Sequence, residues 1–157
     1  MAHPHVLRAN DGLTLKPGPV ETLNFKATHE DTEGAFDYLI GEVGYGGGPP
    51  MHLHINEDEV LHLLEGELML KVGDETIEMS AGDMAFVPRG VPHGYTNRQQ
   101  TPARAVGVFV PSGLARFMSA YLALPPGPPD PQQLEELSKQ YGMVVVGPPL
   151  AVTLGIV

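Results

Sequence analysis

His52 and His54 lie two residues apart in the segment HLHI, and a β-strand, whose side chains alternate, turns both imidazoles to one side. Glu59 follows His54 after four residues, across the polar turn Asn56-Glu57-Asp58, long enough to start a neighbouring strand and return a carboxylate to the same face. His93 stands far along the chain, just after the turn Arg89-Gly90-Val91-Pro92 and at the start of another strand. A His-x-His pair alone is common on solvated strand faces. Three imidazoles and one carboxylate converging from three strands suit one borderline divalent transition metal ion per chain: Fe, Mn, Ni, Co, Cu or Zn. Such a donor set leaves coordination positions open for water, O2 or substrate.

The elements that must position these residues are short strands. Residues 1 to 34 carry weak patterning broken by Asn10-Asp11-Gly12 and Pro17-Gly18-Pro19, and are expected to give an N-terminal extension with one or two edge strands. Ala35 to Tyr45 is rich in strand formers and ends in the breaker Gly46-Gly47-Gly48-Pro49-Pro50. HLHI comes next, then EVLHLLEGELMLKV, which the turn Glu65-Gly66 divides into two strands. Gly73-Asp74 leads into ETIEM, Ala81-Gly82-Asp83 into MAFVP, and the Pro/Gly turn before His93 into HGYTN; AVGVFV reads as a last strand. From 35 to 111 this is an all-β barrel or sandwich. Residues 112–157 form a C-terminal helical extension to the same structural domain. Ser112 is placed to cap a helix over about Gly113 to Leu124, with Leu114, Phe117, Met118, Tyr121 and Leu122 on one face. Asp130 and Pro131 open a second helix, with Gln133 as capping-box partner, that Gly142 ends. Both helices are expected to pack outside the barrel.

Composition narrows the function classes. The 157 residues carry Lys+Arg 9 against Asp+Glu 19, a net charge of −10 that repels nucleic acid and anionic membranes. Cysteine is absent, which removes disulfides, thiolate metal sites and a Cys nucleophile together. The N-terminus lacks a basic segment followed by an apolar run, and the apolar stretch from Met143 is broken by Gly147-Pro148-Pro149, so a cytoplasmic location is expected.

The punctuation around the histidines is more specific than the ligands. It reads Gly46, five residues, His52-x-His54, four residues, Glu59, six residues, Gly66; after 15 residues come Gly82, five residues, Pro88-x-Gly90, two residues, His93, three residues and Asn97. Background glycine and proline usage puts the four glycines and Pro88 alone on the order of one in a million. This spacing resembles the two-part cupin motif at all ten of its fixed positions, and the likeness covers residues 40 to 110. The tail KQYGMVVVGPPL is similar to the extension of single-domain bacterial cupins of the quercetin dioxygenase type.

The resemblance implies a cupin-type double-stranded β-helix, a jelly-roll barrel holding a metal inside its mouth. By position, His52, His54, Glu59 and His93 correspond to the metal ligands; Gly66, Gly82 and Gly90 serve tight turns and Asn97 a structural hydrogen bond. It also implies a homodimer. The activity expected first is a dioxygenase cleaving a small aromatic or enol-type, flavonol-like substrate, with Glu59 both ligand and proton acceptor. A metal-dependent isomerase, cyclase or lyase working without O2, as in polyketide cyclases of this kind, is the alternative. A non-catalytic small-molecule-binding barrel is the third reading.

Several other residues invite attention. Tyr95 follows His93 by two and is expected to face the interior, where its phenol can meet substrate. Leu61 and Leu63 share the Glu59 face and are expected to wall a substrate pocket. His62 points to the opposite side, onto the outer sheet face, and His3, His5 and His29 read as surface residues. The apolar face of the first helix reads as core. Arg89 and Arg98 are the nearest cations to the motifs, so a polyanionic substrate is disfavoured.

Overall fold

A computed structural model describes residues 2–127 and 130–157. The N-terminal segment supplies β1 (Leu13–Gly18) and β2 (Glu21–Ala27), joined antiparallel, then a single turn of helix, α1 (His29–Thr32). The strand series follows the turn glycines: β3 (Asp37–Val43), β4 (Pro50–His54), β5 (Asp58–Glu65), β6 (Glu67–Val72), β7 (Glu75–Ser80), β8 (Met84–Val87), β9 (His93–Thr96) and β10 (Ala103–Val110). Gly66, between β5 and β6, adopts φ +80°, and a Cβ there would come within 3.0 Å of the Ala103 backbone. The turn therefore needs a residue without a side chain on both grounds.

The strands form two antiparallel sheets, one ordered β1-β2-β3-β10-β5-β8 and the other β4-β9-β6-β7 with a further strand, β11 (Met143–Pro149), added at the β4 edge. Alternation sets the inner face. In the register of β3, β10 and β5, Gly107 opposes Leu39 on one side and Leu61 on the other, and Phe109 opposes Glu59. Leu61, Leu63, Val43 and Ala105 from the first sheet meet Leu68, Leu70 and Met79 from the second, a cluster in which Leu63 is wholly buried. Each such leucine contributes roughly 1.5–3 kcal/mol by leaving water.

A second cluster closes the other end. There α2 (Leu114–Leu122) sets Leu114, Phe117 and Met118 against Leu23, Phe25, Leu39 and Phe109, so the helix face expected to be core is core. The helix lies against the inward-facing residues of β2, β3 and β10. Its N-cap is Gly113, and Ser112 does not cap it: the Ser112 hydroxyl pairs with His29 Nδ1 at 2.8 Å. This contact also leaves His29 half-buried rather than on the surface. The helix N-terminus is satisfied from a distance by Asp37, whose Oδ2 accepts the backbone N–H groups of Gly113 and Ala115, each at 3.0 Å.

The second helix, α3 (Pro131–Tyr141), starts at the Asp130 cap and ends at Gly142. Asp130 accepts from the Gln132 N–H at 3.0 Å, Pro131 fills the first turn and Gly142 ends it in the left-handed conformation. The strand β11 and a last turn, α4 (Leu150–Thr153), were not expected. β11 pairs Met143 with His54 and Val145 with His52, so the tail braces the strand that carries the His-x-His pair. No helix among the described residues is long and apolar enough to cross a membrane.

Candidate metal centre

Three strands present the four residues. His52 and His54 lie on β4 and point inward with Leu53 turned away; Glu59 lies on β5; His93 opens β9 as the register partner of His52. Their ligand atoms fall within 4.8 Å of one another, and all four residues are buried. Ring centroids are 5.0 Å apart for His52–His54, 4.3 Å for His52–His93 and 5.5 Å for His54–His93. Glu59 Oε2 reaches His93 Nε2 at 2.8 Å and His54 Nε2 at 3.4 Å.

The hydrogen bonds around the rings select which nitrogen faces the centre. His52 Nδ1 donates to the Pro50 carbonyl at 2.8 Å, and His93 Nδ1 to the Val91 carbonyl at 2.9 Å. In a neutral imidazole this leaves Nε2 as a lone pair aimed inward. His54 Nε2 is buried with no hydrogen-bond partner among the described residues. With Nδ1 of His93 already donating, a carboxylate oxygen 2.8 Å from its Nε2 calls for a second ring proton or a cation between them. The N3O donor set, the converging lone pairs and the orphaned His54 Nε2 fit a divalent transition metal ion.

Electrostatics point the same way. Burial and the neighbouring His93 and His54 push His52 down to about 3, so it stays a neutral donor. Burial opposes a charge on His54, but the Glu57 and Glu59 carboxylates on either side raise it to about 9. Burial likewise opposes ionisation of Glu59, and its contacts with His54 at 3.4 Å and His93 at 2.8 Å overcome it, holding the carboxyl well below the usual range.

A cavity of about 450 Å³ opens onto His52, His54 and Glu59. Its walls are largely apolar, from Leu23, Leu39, Leu61 and Phe109 on the sheets to Phe117 and Met118 on α2, with Tyr95 and Glu21 as further polar groups. Tyr95 thus faces the interior, and burial raises its phenol further above its ordinary range. Glu21 is raised too, by burial that outweighs the backbone N–H of Gly48. Leu61 lines the cavity as expected, but Leu63 does not. It shares the inward face yet lies further along β5, inside the packed cluster between the sheets. His62 is on the outer face, opposite Met84 of β8 and Val106 of β10.

No lysine or arginine lines this cavity among the described residues. Arg89 is held by Asp58 through two side-chain contacts at 2.9 and 3.0 Å, which lowers Asp58 to about 2, and Arg98 pairs with Glu78 at 3.1 Å. A wider hollow of about 710 Å³ lies between the first strands and α2, but its cations are committed: Lys26 Nζ donates to the carbonyls of Arg8, Ala9 and Asp11, and Arg116 pairs with Glu30. Sequence reasoning passed over Glu57, which reads as a turn residue and yet is buried beside His54.

Residues 39–109 match the family model described as a cupin domain. The barrel is a cupin domain. Among curated proteins, this cupin is 28% identical over 116 residues to quercetin 2,3-dioxygenase of Bacillus subtilis (strain 168), covering 74% of this chain and 34% of that one. It is 33% identical over 75 residues to the tetracenomycin polyketide synthase protein TcmJ of Streptomyces glaucescens, covering 46% and 50%. The chain therefore spans a third to a half of the length of these relatives. An RmlC-like cupin from Shewanella frigidimarina superposes with a TM-score of 0.61 at 20% identity, over 70% of this chain and 93% of the other, which establishes the jelly-roll fold.

Proposed function

We propose that this cupin is a metal-dependent dioxygenase acting on a small aromatic, enolisable substrate of the flavonol type. The observation that carries the proposal is the placement of the His52, His54, Glu59 and His93 cluster at the wall of an apolar cavity lined by no lysine or arginine among the described residues. Such a cavity takes up a flat, weakly charged molecule and rejects sugar acids and phosphates, whose charges would lie unpaired in a low dielectric. The likeness to a quercetin dioxygenase supports the same class.

The three Nε2 atoms and Glu59 would hold a divalent ion of the Fe, Mn, Ni, Co, Cu or Zn series. When bound, the ion supplies Lewis acidity and a place where O2 and an electron-rich enol can meet. The chain's own part follows from its geometry. Leu61, Phe109 and Phe117 hold the substrate rings and exclude water. The Glu59 carboxylate, kept ionised by its histidine neighbours, is positioned to accept the proton of the substrate hydroxyl at Oε2. Tyr95, kept a neutral phenol, offers a donor to a substrate carbonyl across the cavity.

A second reading keeps the site and drops O2: a cyclase or isomerase in which a bound ion would supply Lewis acidity at a substrate carbonyl while Glu59 moves the proton. The 33% identity to TcmJ favours it. The two separate on one experiment. Metal-free protein is reloaded with Fe(II), Ni(II) or Co(II) and mixed with flavonols in an oxygen electrode and, separately, under argon. Turnover that consumes O2 and stops under argon supports the dioxygenase. Turnover unchanged under argon transfers the site to the second reading. Metal content measured beside His54→Ala tests the ligand set underlying both.

We further propose a homodimer packed through the outer face of the six-stranded sheet. There Tyr38, Ile40, Val60 and Val108 adjoin Met84 and Phe86, which are 59% and 58% exposed. Light scattering of Phe86→Glu should then report a monomer.

A further inference from the structure

We infer that Glu57 is a positioning residue for His54: its carboxylate, buried between the imidazole and the first turn of α2, orients the ring and strengthens Nε2 as a donor. The inference rests on the ligand set proposed above.

The three histidines are not held alike. His52 and His93 each spend Nδ1 on a backbone carbonyl two residues earlier, a neutral acceptor. His54 instead has the Oε2 of Glu57 standing 3.6 Å from its Nδ1, an ion-pair distance that a shift of a few tenths of an ångström turns into a hydrogen bond. A carboxylate behind a metal-binding imidazole fixes the tautomer and raises ligand basicity more than a carbonyl does. Among the described residues no hydrogen bond and no other ion pair competes for this carboxylate. Glu57 is 4% exposed, its Oε2 has no hydrogen-bond partner, and no lysine or arginine among the described residues lies within ion-pair distance. A buried, unpaired carboxylate is costly unless it serves a neighbouring positive centre.

The other oxygen explains a glycine. A Cβ on Gly113 would stand 2.0 Å from Glu57 Oε1. All three atoms nearest that Cβ belong to Glu57, so a side chain at 113 must displace the carboxylate. Gly113 is the N-cap of α2, the end of a nine-residue helix where partial positive charge favours an anion. The contact series therefore runs from His54 through Glu57 to the first turn of the helix whose Leu114 and Phe117 wall the cavity.

The test uses the full metal-free chain titrated with Co(II) at neutral pH, followed by calorimetry and by the Co(II) d–d absorption. Wild type should bind one equivalent. Glu57→Gln, nearly isosteric, should bind Co(II) roughly 10–100-fold more weakly and shift the absorption bands. Gly113→Ala should weaken binding in the same direction by pushing the carboxylate away, and the double variant should be no weaker than the weaker single one, because both changes act on one contact. Asp37→Asn is the comparator: it also touches the first turn of α2 but not His54, and should leave Co(II) affinity within about twofold. Equal affinity in wild type and Glu57→Gln would overturn the inference while leaving the ligand set intact. Loss in Asp37→Asn as large as in Glu57→Gln would overturn it too, by assigning the effect to the helix. Failure of wild type to bind Co(II) would remove the ligand set and this role together. If Glu57→Gln does not fold, Gly113→Ala decides alone.

Discussion

His52 and His93 are the register partners that join β4 to β9, their rings 4.3 Å apart, with each Nδ1 tied to a carbonyl two residues earlier. The site is thus clamped from the backbone outward, and its rings cannot rotate without breaking those bonds. Adding Ni(II) or Co(II) at about 100 times the dissociation constant should stabilise the wild type by roughly 2.7 kcal/mol, raising the melting temperature by roughly 5–10 °C. His52→Ala and His93→Ala should lose that rise. Differential scanning fluorimetry with and without metal checks it, and an undiminished rise in either variant would place the ion elsewhere.

Asn97 is wholly buried and does the work of a crossing. Its Nδ2 donates to the carbonyls of Val43 at 2.8 Å and Thr101 at 2.9 Å, while its Oδ1 accepts from the Gln99 N–H. Asn97→Ala should strand buried carbonyls and cost about 2–4 kcal/mol, read from urea unfolding. A loss below about 0.5 kcal/mol would mean the strand ends are held by other means.

Asp37 gives the protein a pH dependence of definite sign. Burial raises its carboxyl above the ordinary 3.8, against the lowering by the Ala115 and Gly113 N–H groups. A group with a raised folded value contributes stability that is complete below 3.8 and is lost as pH climbs through that raised value. Asp37→Asn does not titrate there. Unfolding free energies measured from about pH 3.5 to pH 7 should show wild type losing ground to Asp37→Asn as pH rises. A gap that stays constant, or moves the other way, would contradict burial as the dominant influence.

Phe117 stacks near Tyr121 with centroids 6.0 Å apart and lines the cavity from α2. Phe117→Trp should narrow the cavity, raising KM for a flavonol by roughly 10–200-fold while the bound metal per chain stays unchanged. A fall in metal content would show instead that the helix supports the centre itself.

Much of this was legible because it is local. Strand alternation and turn glycines located the eight strands β3 to β10, with β1 and β2 foreseen only as one or two unplaced edge strands, and the motif spacing pointed to His52, His54, Glu59 and His93 as one group. What escaped depends on distance or depth. Asp37 caps a helix that begins 76 residues later at Gly113, a relation no local pattern encodes, so the nearby Ser112 looked like the cap. Glu57 lies in a polar turn, where a carboxylate ordinarily meets water, and only the arrival of α2 buries it. Leu61 and Leu63 share a face, and their different fates follow from depth along β5, which alternation does not report. The strand β11 was missed although Val144 to Val146 are strand formers, because Gly147-Pro148-Pro149 reads as a breaker; prolines are tolerated there because β11 is an edge strand.

That edge strand sets the order of assembly. Val145 pairs with His52, a separation of 145 − 52 = 93 residues, and β4 finds its other neighbour only in β9, through the single pair with His93. Closing loops of that length is entropically slow, so β4 is among the last strands to lock during folding. An ion that needs both histidines of β4 then finds its full donor set only in a chain already folded elsewhere. Such an ion would act as a late latch rather than a nucleus, and the metal-free barrel should collapse at nearly the rate of the loaded one.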